Sequence, residues 1–182
     1  MYDNRCLGES GGRPRQDIDP VMQRRDYRSA ITFAQNQIEC DADRIGIWGT
    51  SYTGGAVCAV AALDHRVKAV VSQVPFINGF QNVLQSSPLS EQHLFWEMID
   101  EDRARRVEGK SSQYVKMCSL DPTEPHVLPG KDTYNYIHQF VDNDPNCTWE
   151  NKVTIRSLEY LLEYDVSGYM KQISPTPLLM IV

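Results

Sequence analysis

Apolar and polar residues alternate in blocks over residues 1–75, and these blocks predict helices and strands in turn. Asp19 and Pro20 mark a helix start, because an N-cap acceptor is followed by proline at the first helical position. The apolar positions of this helix recur at helical spacing, which predicts one buried face. They are Tyr27, Ala30, Ile31, Ala34 and Ile38. Apolar runs at residues 45–48 and 68–74 predict two buried strands with a helix between them.

Strand, helix and strand with short connections predict a mostly parallel sheet with helices on both faces, so the fold class is α/β. From about residue 76 to residue 164 the pattern changes to helices separated by turns rich in Pro, Gly and Asp. The predicted helices of this stretch are residues 91–117, 133–141 and 154–162. An apolar run after Pro177 predicts a further buried strand.

The domain organisation follows from this change of pattern. We expect residues 1–182 to form a single domain, since the length suits one folding unit. Its core is predicted at residues 1–75 and 165–182, and a helical insertion at about 76–164. Such an insertion commonly covers a binding pocket, so its aromatic residues either line an apolar site or simply pack the insertion together. They are Phe76, Phe80, Phe95, Trp96, Tyr114, Tyr134 and Tyr136.

The clearest chemical signal lies at residues 43–56, where a predicted strand turns sharply at Gly49-Thr50-Ser51 and continues into a helix. Strand, tight turn with a serine at its tip, and helix are the order of a nucleophile elbow. Ser51 is therefore the predicted catalytic nucleophile. The backbone N–H of Tyr52 is the predicted oxyanion donor, because it opens a helix whose dipole is positive at that end.

One position departs from the usual G-x-S-x-G pattern of such elbows. Gly49 satisfies the upstream glycine, but Thr53 stands at the downstream one, and Gly54 and Gly55 follow directly. The positions without a side chain that follow the serine are thus shifted by one residue along the chain. The alternative interpretation is a strand-to-helix turn that holds an incidental serine.

Composition narrows the classes of function. The chain carries a net charge of −6, and the basic residues at 103–106 follow acidic ones at 100–102. We interpret the pairs Glu101–Arg105 and Asp102–Arg106 as a solvated helix face rather than a nucleic-acid contact. No apolar run approaches the length of a membrane span and no signal peptide opens the chain, so we expect no membrane partner and a cytoplasmic location.

The five cysteines predict neither a metal site nor a cofactor. They are widely spaced, and none forms a C-x-x-C pair. Free thiols in a reducing compartment are the simplest interpretation. Cys58 falls in the apolar helix after Ser51 and is predicted to be a small core residue. The expected partner is a small-molecule acyl substrate, and the oligomeric state is left open.

The chain resembles the α/β-hydrolases, and more narrowly their dienelactone-hydrolase-like and X-Pro-dipeptidyl-peptidase-like branch, which includes fungal polyketide transferases of secondary metabolism. The stretches that carry this resemblance run from one end of the chain to the other. They are Tyr2-Asp3-Asn4-Arg5 with Gly8-Glu9-Ser10, residues 43–55, residues 64–75 and residues 175–182. Members of the branch often have a small residue where Thr53 stands.

The resemblance implies a triad of Ser, Asp or Glu, and His in chain order, and only the serine maps clearly, to Ser51. The acid and the histidine are expected beyond Val182, and the second oxyanion donor before Met1. We therefore expect a fragment of an α/β-hydrolase domain that is inactive or nearly so by itself. His65 is predicted to lie at the far end of the helix that starts after Ser51, about 15 Å away.

The remaining candidate acids and bases are expected to be structural. His93, His126 and His138 belong to the insertion, where each is more often a packing or surface residue than a base. Asp3 is interpreted as a turn residue and Asp165 as a loop residue.

Three functions follow from the sequence. The first is a serine hydrolase of esters or thioesters, or a polyketide acyltransferase, that works through a Ser51 acyl-enzyme. The second is an X-Pro-type peptidase. The third is a non-catalytic, truncated hydrolase-like protein, which the missing triad members favour and the intact elbow disfavours.

Overall fold

The computed structural model describes residues 2–86 and 92–182. In the described residues the helices are α1 (Pro20–Gln35), α2 (Tyr52–Leu63), α3 (Gly79–Ser86), α4 (Gln92–Val107), α5 (Lys131–Val141) and α6 (Ile155–Leu162). The strands are β1 (Ile45–Thr50), β2 (Val67–Gln73), β3 (Tyr114–Val115), β4 (Val153–Thr154) and β5 (Leu178–Ile181). A 3₁₀ helix, Ser167–Gln172, precedes β5.

Three strands form a parallel sheet in the order β1-β2-β5. Ile47 of β1 pairs with Val70 of β2, and Ser72 of β2 pairs with Met180 of β5. Because all three strands run the same way, their carboxyl ends lie along one edge of the sheet. The short strands β3 and β4 form a separate antiparallel pair. The predicted α/β class with a mostly parallel sheet is confirmed.

The chain forms two compact units. One contains residues 3–18 and 93–159, and the other contains Tyr2 with residues 19–92 and 160–182. The parallel sheet and Ser51 belong to the second unit. The domain boundaries deduced from the sequence stay a prediction.

A buried apolar cluster of the second unit lies between helices and sheet. α1 begins as predicted, since the Asp19 carboxylate accepts hydrogen bonds from the N–H groups of Val21 and Met22, with Pro20 at the first helical position. Ile31 is buried, as predicted for this face of the helix. Ile38 lies beyond the end of the helix and is 96% exposed, so it does not belong to the buried face. The buried members of the core are Ile31, Ile47, Val57, Cys58, Val60, Ala61, Ala62, Val67, Val70 and Ile173.

The first unit is held by buried carboxylates. Asp17 accepts two hydrogen bonds from the Arg156 guanidinium, at 2.8 and 2.7 Å, and one from the Thr154 hydroxyl, at 2.6 Å. These contacts tie the N-terminal segment to β4 and α6. Asp102 of α4 accepts from the Gln113 N–H at 2.6 Å and from the Arg106 guanidinium at 2.9 Å.

Two predictions for α4 are wrong. The predicted helix 91–117 ends at Val107, because Gly109 takes a positive φ of 81° and residues 114–115 form a strand instead. Residue 91 itself lies outside the described residues. The pair Asp102–Arg106 exists, but its carboxylate is fully buried and binds the chain beyond the helix, so this face is not solvated.

The terminal strand also differs from its prediction. Residues 178–181 do form β5, but their side chains are 37–57% exposed rather than buried. β5 pairs with β2 on one side, and in the described residues no further strand pairs with its other side. None of the helices that the structure describes is long and apolar enough to cross a bilayer.

Candidate functional site

Ser51 lies at the carboxyl edge of the sheet, between the last residue of β1 and the first residue of α2. Its backbone has φ 53° and ψ −121°. These angles match the first central position of a type II′ turn, about +60° and −120°, which glycine normally occupies. A serine held there costs of order 1–3 kcal/mol, and such strain is typical of functional sites. Ser51 is exposed. The predicted strand, turn and helix with a serine at the tip are all present.

Main-chain hydrogen bonds hold Ser51 against the end of β2. Its N–H donates to the carbonyl of Gln73 at 2.9 Å, and its carbonyl accepts from the N–H of Phe76, also at 2.9 Å. The Gly55 N–H donates to the same carbonyl at 3.3 Å as α2 begins. Both peptide groups of Ser51 are therefore fixed to the backbone, and its side chain makes no capping bond within the described helix.

Thr53 fits the elbow because its side chain folds back onto the strand. The Thr53 hydroxyl donates to the Thr50 carbonyl at 2.9 Å and accepts from the Thr50 N–H at 3.1 Å. The close contact with residue 49 comes from the Thr53 backbone instead of its side chain. The Thr53 carbonyl oxygen would lie 2.3 Å from a Cβ placed on Gly49. Glycine is thus required upstream of Ser51, and a hydroxyl-bearing residue is accommodated downstream.

The two glycines after Thr53 face the segment that follows β2. A Cβ on Gly54 would lie 2.7 Å from the Gln73 carbonyl oxygen, and one on Gly55 would lie 2.0 Å from the Phe76 carbonyl oxygen. The absence of side chains lets α2 pass against the chain that binds Ser51. This explains why glycines are needed at residues 54 and 55 rather than at residue 53.

Tyr52 offers a free backbone donor beside a buried ring. It is the first residue of α2, so its N–H has no partner within the helix. Its ring contacts the ring of Tyr164 at 5.5 Å, and the Tyr164 hydroxyl lies 3.5 Å from the Tyr52 carbonyl oxygen. Burial raises the pKa of both phenols, so both stay protonated. The Tyr52 hydroxyl is buried without a hydrogen-bond partner in the described part of the chain.

The length of α2 keeps His65 away from Ser51. α2 has 12 residues, which at about 1.5 Å per residue separates His65 from Ser51 by roughly 18 Å. His93, His126 and His138 lie in the first unit, and the last two have partners of their own. His126 Nδ1 meets the Glu124 carbonyl at 2.7 Å, and His138 stacks on Tyr134 at 4.0 Å.

The two acids singled out from the sequence have structural contacts. Asp3 accepts from the Glu9 N–H at 3.0 Å, within the N-terminal turn. Asp165 accepts from the Ser167 N–H at 2.8 Å and from the Asn78 amide at 2.9 Å. The hydrogen bonds from Ser167 lower the pKa of Asp165, so it is ionised at neutral pH.

The predicted aromatic residues fall into separate groups. Phe76 packs on Tyr164 in the second unit, at 5.7 Å between ring centres. In the first unit Phe95 packs on Trp96, and Tyr134 on His138. These contacts favour packing for the residues concerned. Cys58 is fully buried in the core, as predicted, and no group of metal-ligating side chains occurs among the described residues.

Sequence reasoning did not identify the backbone of Gln73, Val74 and Phe76, at the end of β2 and just after it, as the neighbour of Ser51. Gln73 and Phe76 act through backbone atoms, which leave no signature in residue type. Val74 takes a positive φ of 42°, which nothing in its side chain announces. The available signal was that residues 64–75, one of the stretches that carry the resemblance, include Gln73 and Val74.

Comparisons with known proteins show which family and fold the chain is similar to. A family model described as acetyl xylan esterase (AXE1) matches residues 24–114, half of the chain. Polyketide transferase af380 of Aspergillus fumigatus is 29% identical over 182 residues, covering all of this chain and 59% of that protein. Thiohydrolase apmlB of Arthrinium phaeospermum is 30% identical over 188 residues, with the same coverage of 100% and 59%.

Solved structures show the same likeness. The crystal structure of the α/β hydrolase GrgF from Penicillium sp. sh18 matches with a TM-score of 0.78 at 26% identity, over 99% of this chain and 59% of that one. The chain therefore spans 59% of the length of these relatives.

Proposed function

Since the chain belongs to the acetyl xylan esterase (AXE1) family and has the α/β-hydrolase fold, we propose that it carries the nucleophile of a serine hydrolase or acyltransferase. The observation that carries this proposal is the backbone of Ser51. A serine held at φ 53° on the carboxyl edge of a parallel sheet, exposed and followed by a helix N-terminus, is built as a nucleophile elbow.

The proposed reaction begins when the Ser51 oxygen attacks the carbonyl carbon of the substrate while a histidine base removes the hydroxyl proton. The carbonyl oxygen becomes an oxyanion that accepts a hydrogen bond from the Tyr52 N–H, a contact worth about 3 kcal/mol per donor. Collapse of this intermediate expels the protonated leaving group and leaves an ester on Ser51. Water then releases an acid, or an alcohol or amine takes the acyl group.

The names of the relatives support a thioester or ester substrate. One curated relative is a polyketide transferase and another a thiohydrolase, and both align with the whole of this chain. We therefore propose a small acyl thioester as the first substrate to test. The peptidase and non-catalytic alternatives become outcomes of that test.

Labelling with a fluorophosphonate probe tests the nucleophile. We expect slow labelling of the 182-residue chain, because an unassisted serine is a weak nucleophile, and faster labelling when imidazole is added as a diffusing base. Ser51→Ala should remove the label, and mass spectrometry should locate it on Ser51. Ser29→Ala, which changes an exposed serine of α1, is the matched control.

Each result of this experiment has a distinct meaning. Equal labelling of the wild type and Ser51→Ala contradicts the proposed nucleophile. Fast labelling without imidazole supports the nucleophile but contradicts the expectation that the base lies outside the chain. Ser51-dependent hydrolysis of hexanoyl-N-acetylcysteamine would support the thioester substrate, whereas preferential cleavage of an X-Pro peptide would favour the peptidase.

A further inference from the structure

Val74 has a strained backbone directly after β2. Its φ is 42°, in the left-handed region, where a β-branched side chain is a genuine outlier. It also precedes Pro75, whose ring further narrows the backbone angles of the residue before it. The side chain gains no burial in return, since Val74 is 60% exposed. Glycine would take this conformation without strain.

Hydrogen bonds on both sides fix Val74 next to Ser51. The preceding carbonyl, of Gln73, accepts from Ser51, and the Phe76 N–H two residues later donates to Ser51. The N–H of Val74 itself donates to the Ile181 carbonyl at 2.7 Å. Val74 and Pro75 are thus the two residues enclosed between the main-chain bonds that hold the serine, and Val74 is also tied to the end of β5.

This position brings an exposed apolar side chain to the edge of the sheet at which Ser51 stands. Ligands of open α/β sheets bind outside the carboxyl ends of the strands. The main-chain bonds of the segment do not require an isopropyl group, and burial does not explain it. A contact with a bound apolar group does.

We propose that Val74 is a specificity-determining residue that contacts the alkyl part of the acyl group while the acyl carbonyl lies at Ser51. The proposal rests on the proposed function, because it assigns a substrate class to the same site. The class is an acyl thioester or ester with an apolar chain longer than acetyl. Longer chains gain contact with Val74, and an acetyl group does not reach it.

A binding measurement that needs no catalysis tests the assignment. The Ser51→Ala variant, with ¹³C-labelled valine methyl groups, is titrated with acetyl- and hexanoyl-N-acetylcysteamine and followed by NMR. We expect the hexanoyl compound to shift the Val74 methyl signals and the acetyl compound to leave them unchanged. The signals of Val21 and Val107, which are 48% and 85% exposed elsewhere, serve as internal controls.

Two substitutions separate contact from structure. Val74→Thr keeps the shape but replaces one methyl group with a hydroxyl, and we expect it to weaken hexanoyl binding roughly threefold to tenfold. Val74→Gly should raise the melting temperature, because the strain is relieved, and yet weaken hexanoyl binding at least as much. Val21→Thr is the matched control and should leave binding unchanged.

Several outcomes would overturn the inference. They are unmoved Val74 signals at saturating hexanoyl compound, equal shifts with both compounds, and full hexanoyl affinity in Val74→Gly. Because Ser51 is replaced in this experiment, its result is independent of the labelling result. Binding at Val74 without labelling of Ser51 would refute the proposed chemistry alone, and labelling without binding at Val74 would refute this inference alone.

Discussion

Gly49 and Ser51 show how a few backbone atoms set the geometry of the candidate site. The Thr53 carbonyl occupies the space that a side chain at residue 49 would need, and the angles of Ser51 are those of a glycine position. Ser51 nevertheless keeps a side chain there. A residue kept against its own conformational preference is best explained by chemistry.

Replacing Gly49 by alanine should disrupt the elbow. The new Cβ would lie 2.3 Å from the Thr53 carbonyl oxygen, which is backbone and cannot move without moving α2. We expect a loss of about 1–3 kcal/mol in the free energy of unfolding, the usual cost of overpacking. Urea denaturation measures it, and labelling of Ser51 should fall as well.

Gly46→Ala is the matched control on the same strand. Its Cβ would make ordinary contacts, the nearest at 3.7 Å from the Ala69 carbonyl oxygen. It should be neutral or slightly stabilising, because alanine restricts the unfolded chain. Equal destabilisation by both substitutions would show that the strand rather than the elbow is sensitive.

At the scale of single residues, what the sequence revealed depended on residue type. Gly49 and Ser51 were recognisable because their residue types, between a predicted strand and a predicted helix, fit the pattern of a nucleophile elbow. The double hydrogen bond of Thr53 was not, because it depends on the exact geometry of the turn between Thr50 and Thr53. The strain at Val74 was not, because it depends on segments that are distant in the sequence. The fully buried carboxylate of Asp102 was missed for the same reason, since its partner Gln113 lies beyond the helix.

Among the elements, the corner between α2 and β2 is fixed mainly by the ion pair of Asp64 with Arg66, and Arg28 of α1 lies 3.7 Å from the same carboxylate. Asp64 follows α2, and its buried carboxylate accepts two hydrogen bonds from the Arg66 guanidinium, at 2.7 and 2.5 Å. Arg66 also donates to Thr32 and Gln35 of α1. The corner therefore joins two helices and a strand through one cation.

Acid should weaken this corner in a predictable direction. The hydrogen bonds from Arg66 lower the pKa of Asp64 below its usual value, so the folded state binds that proton less readily than the unfolded state. The stabilisation is present above the unfolded pKa, about 3.9, and is lost as the pH falls through the lower folded pKa.

Arg66→Gln should therefore be less stable than the wild type at pH 7, and the difference should shrink as the pH falls below about 4. Urea denaturation at several pH values measures it. Arg44→Gln, which removes an exposed arginine, should show no such pH-dependent difference. If the difference in stability between Arg66→Gln and the wild type stayed constant down to the folded pKa, the role assigned to Asp64 would be contradicted.

Element prediction was most successful where the pattern was local. α1 and its cap, β1, α2 and β2 follow directly from spacing and capping residues. The end of α4 was mispredicted because residues 108–117 keep helix-compatible composition while Gly109 and the pairing of β3 with β4 decide otherwise. Pairing between distant segments leaves no periodic signal.

For the whole molecule, the most unusual surface is the exposed strand β5. Its four residues are apolar and 37–57% exposed, and β2 is its neighbour on one side. An exposed apolar edge strand is a template for pairing with another chain. The sequence predicted the strand but not its exposure, because exposure depends on what lies beside it.

We expect the 182-residue chain to self-associate as its concentration rises. Leu179→Lys, at a position 57% exposed in the centre of β5, should suppress this association, since a charge on an edge strand disfavours pairing. Sedimentation velocity measures the change. Phe33→Lys, which alters an apolar residue of α1 that is 67% exposed, is the control and should not suppress it. Equal behaviour of the two variants would argue against β5 as the contact.

The bonds that hold Ser51 join peptide groups and involve no side chain of Gln73 or Phe76. Changes of these two side chains would therefore leave the bonds that hold Ser51 in place, provided that Gly49, Gly54 and Gly55 stay. The surface beside Ser51 can thus vary while the position of the serine is kept.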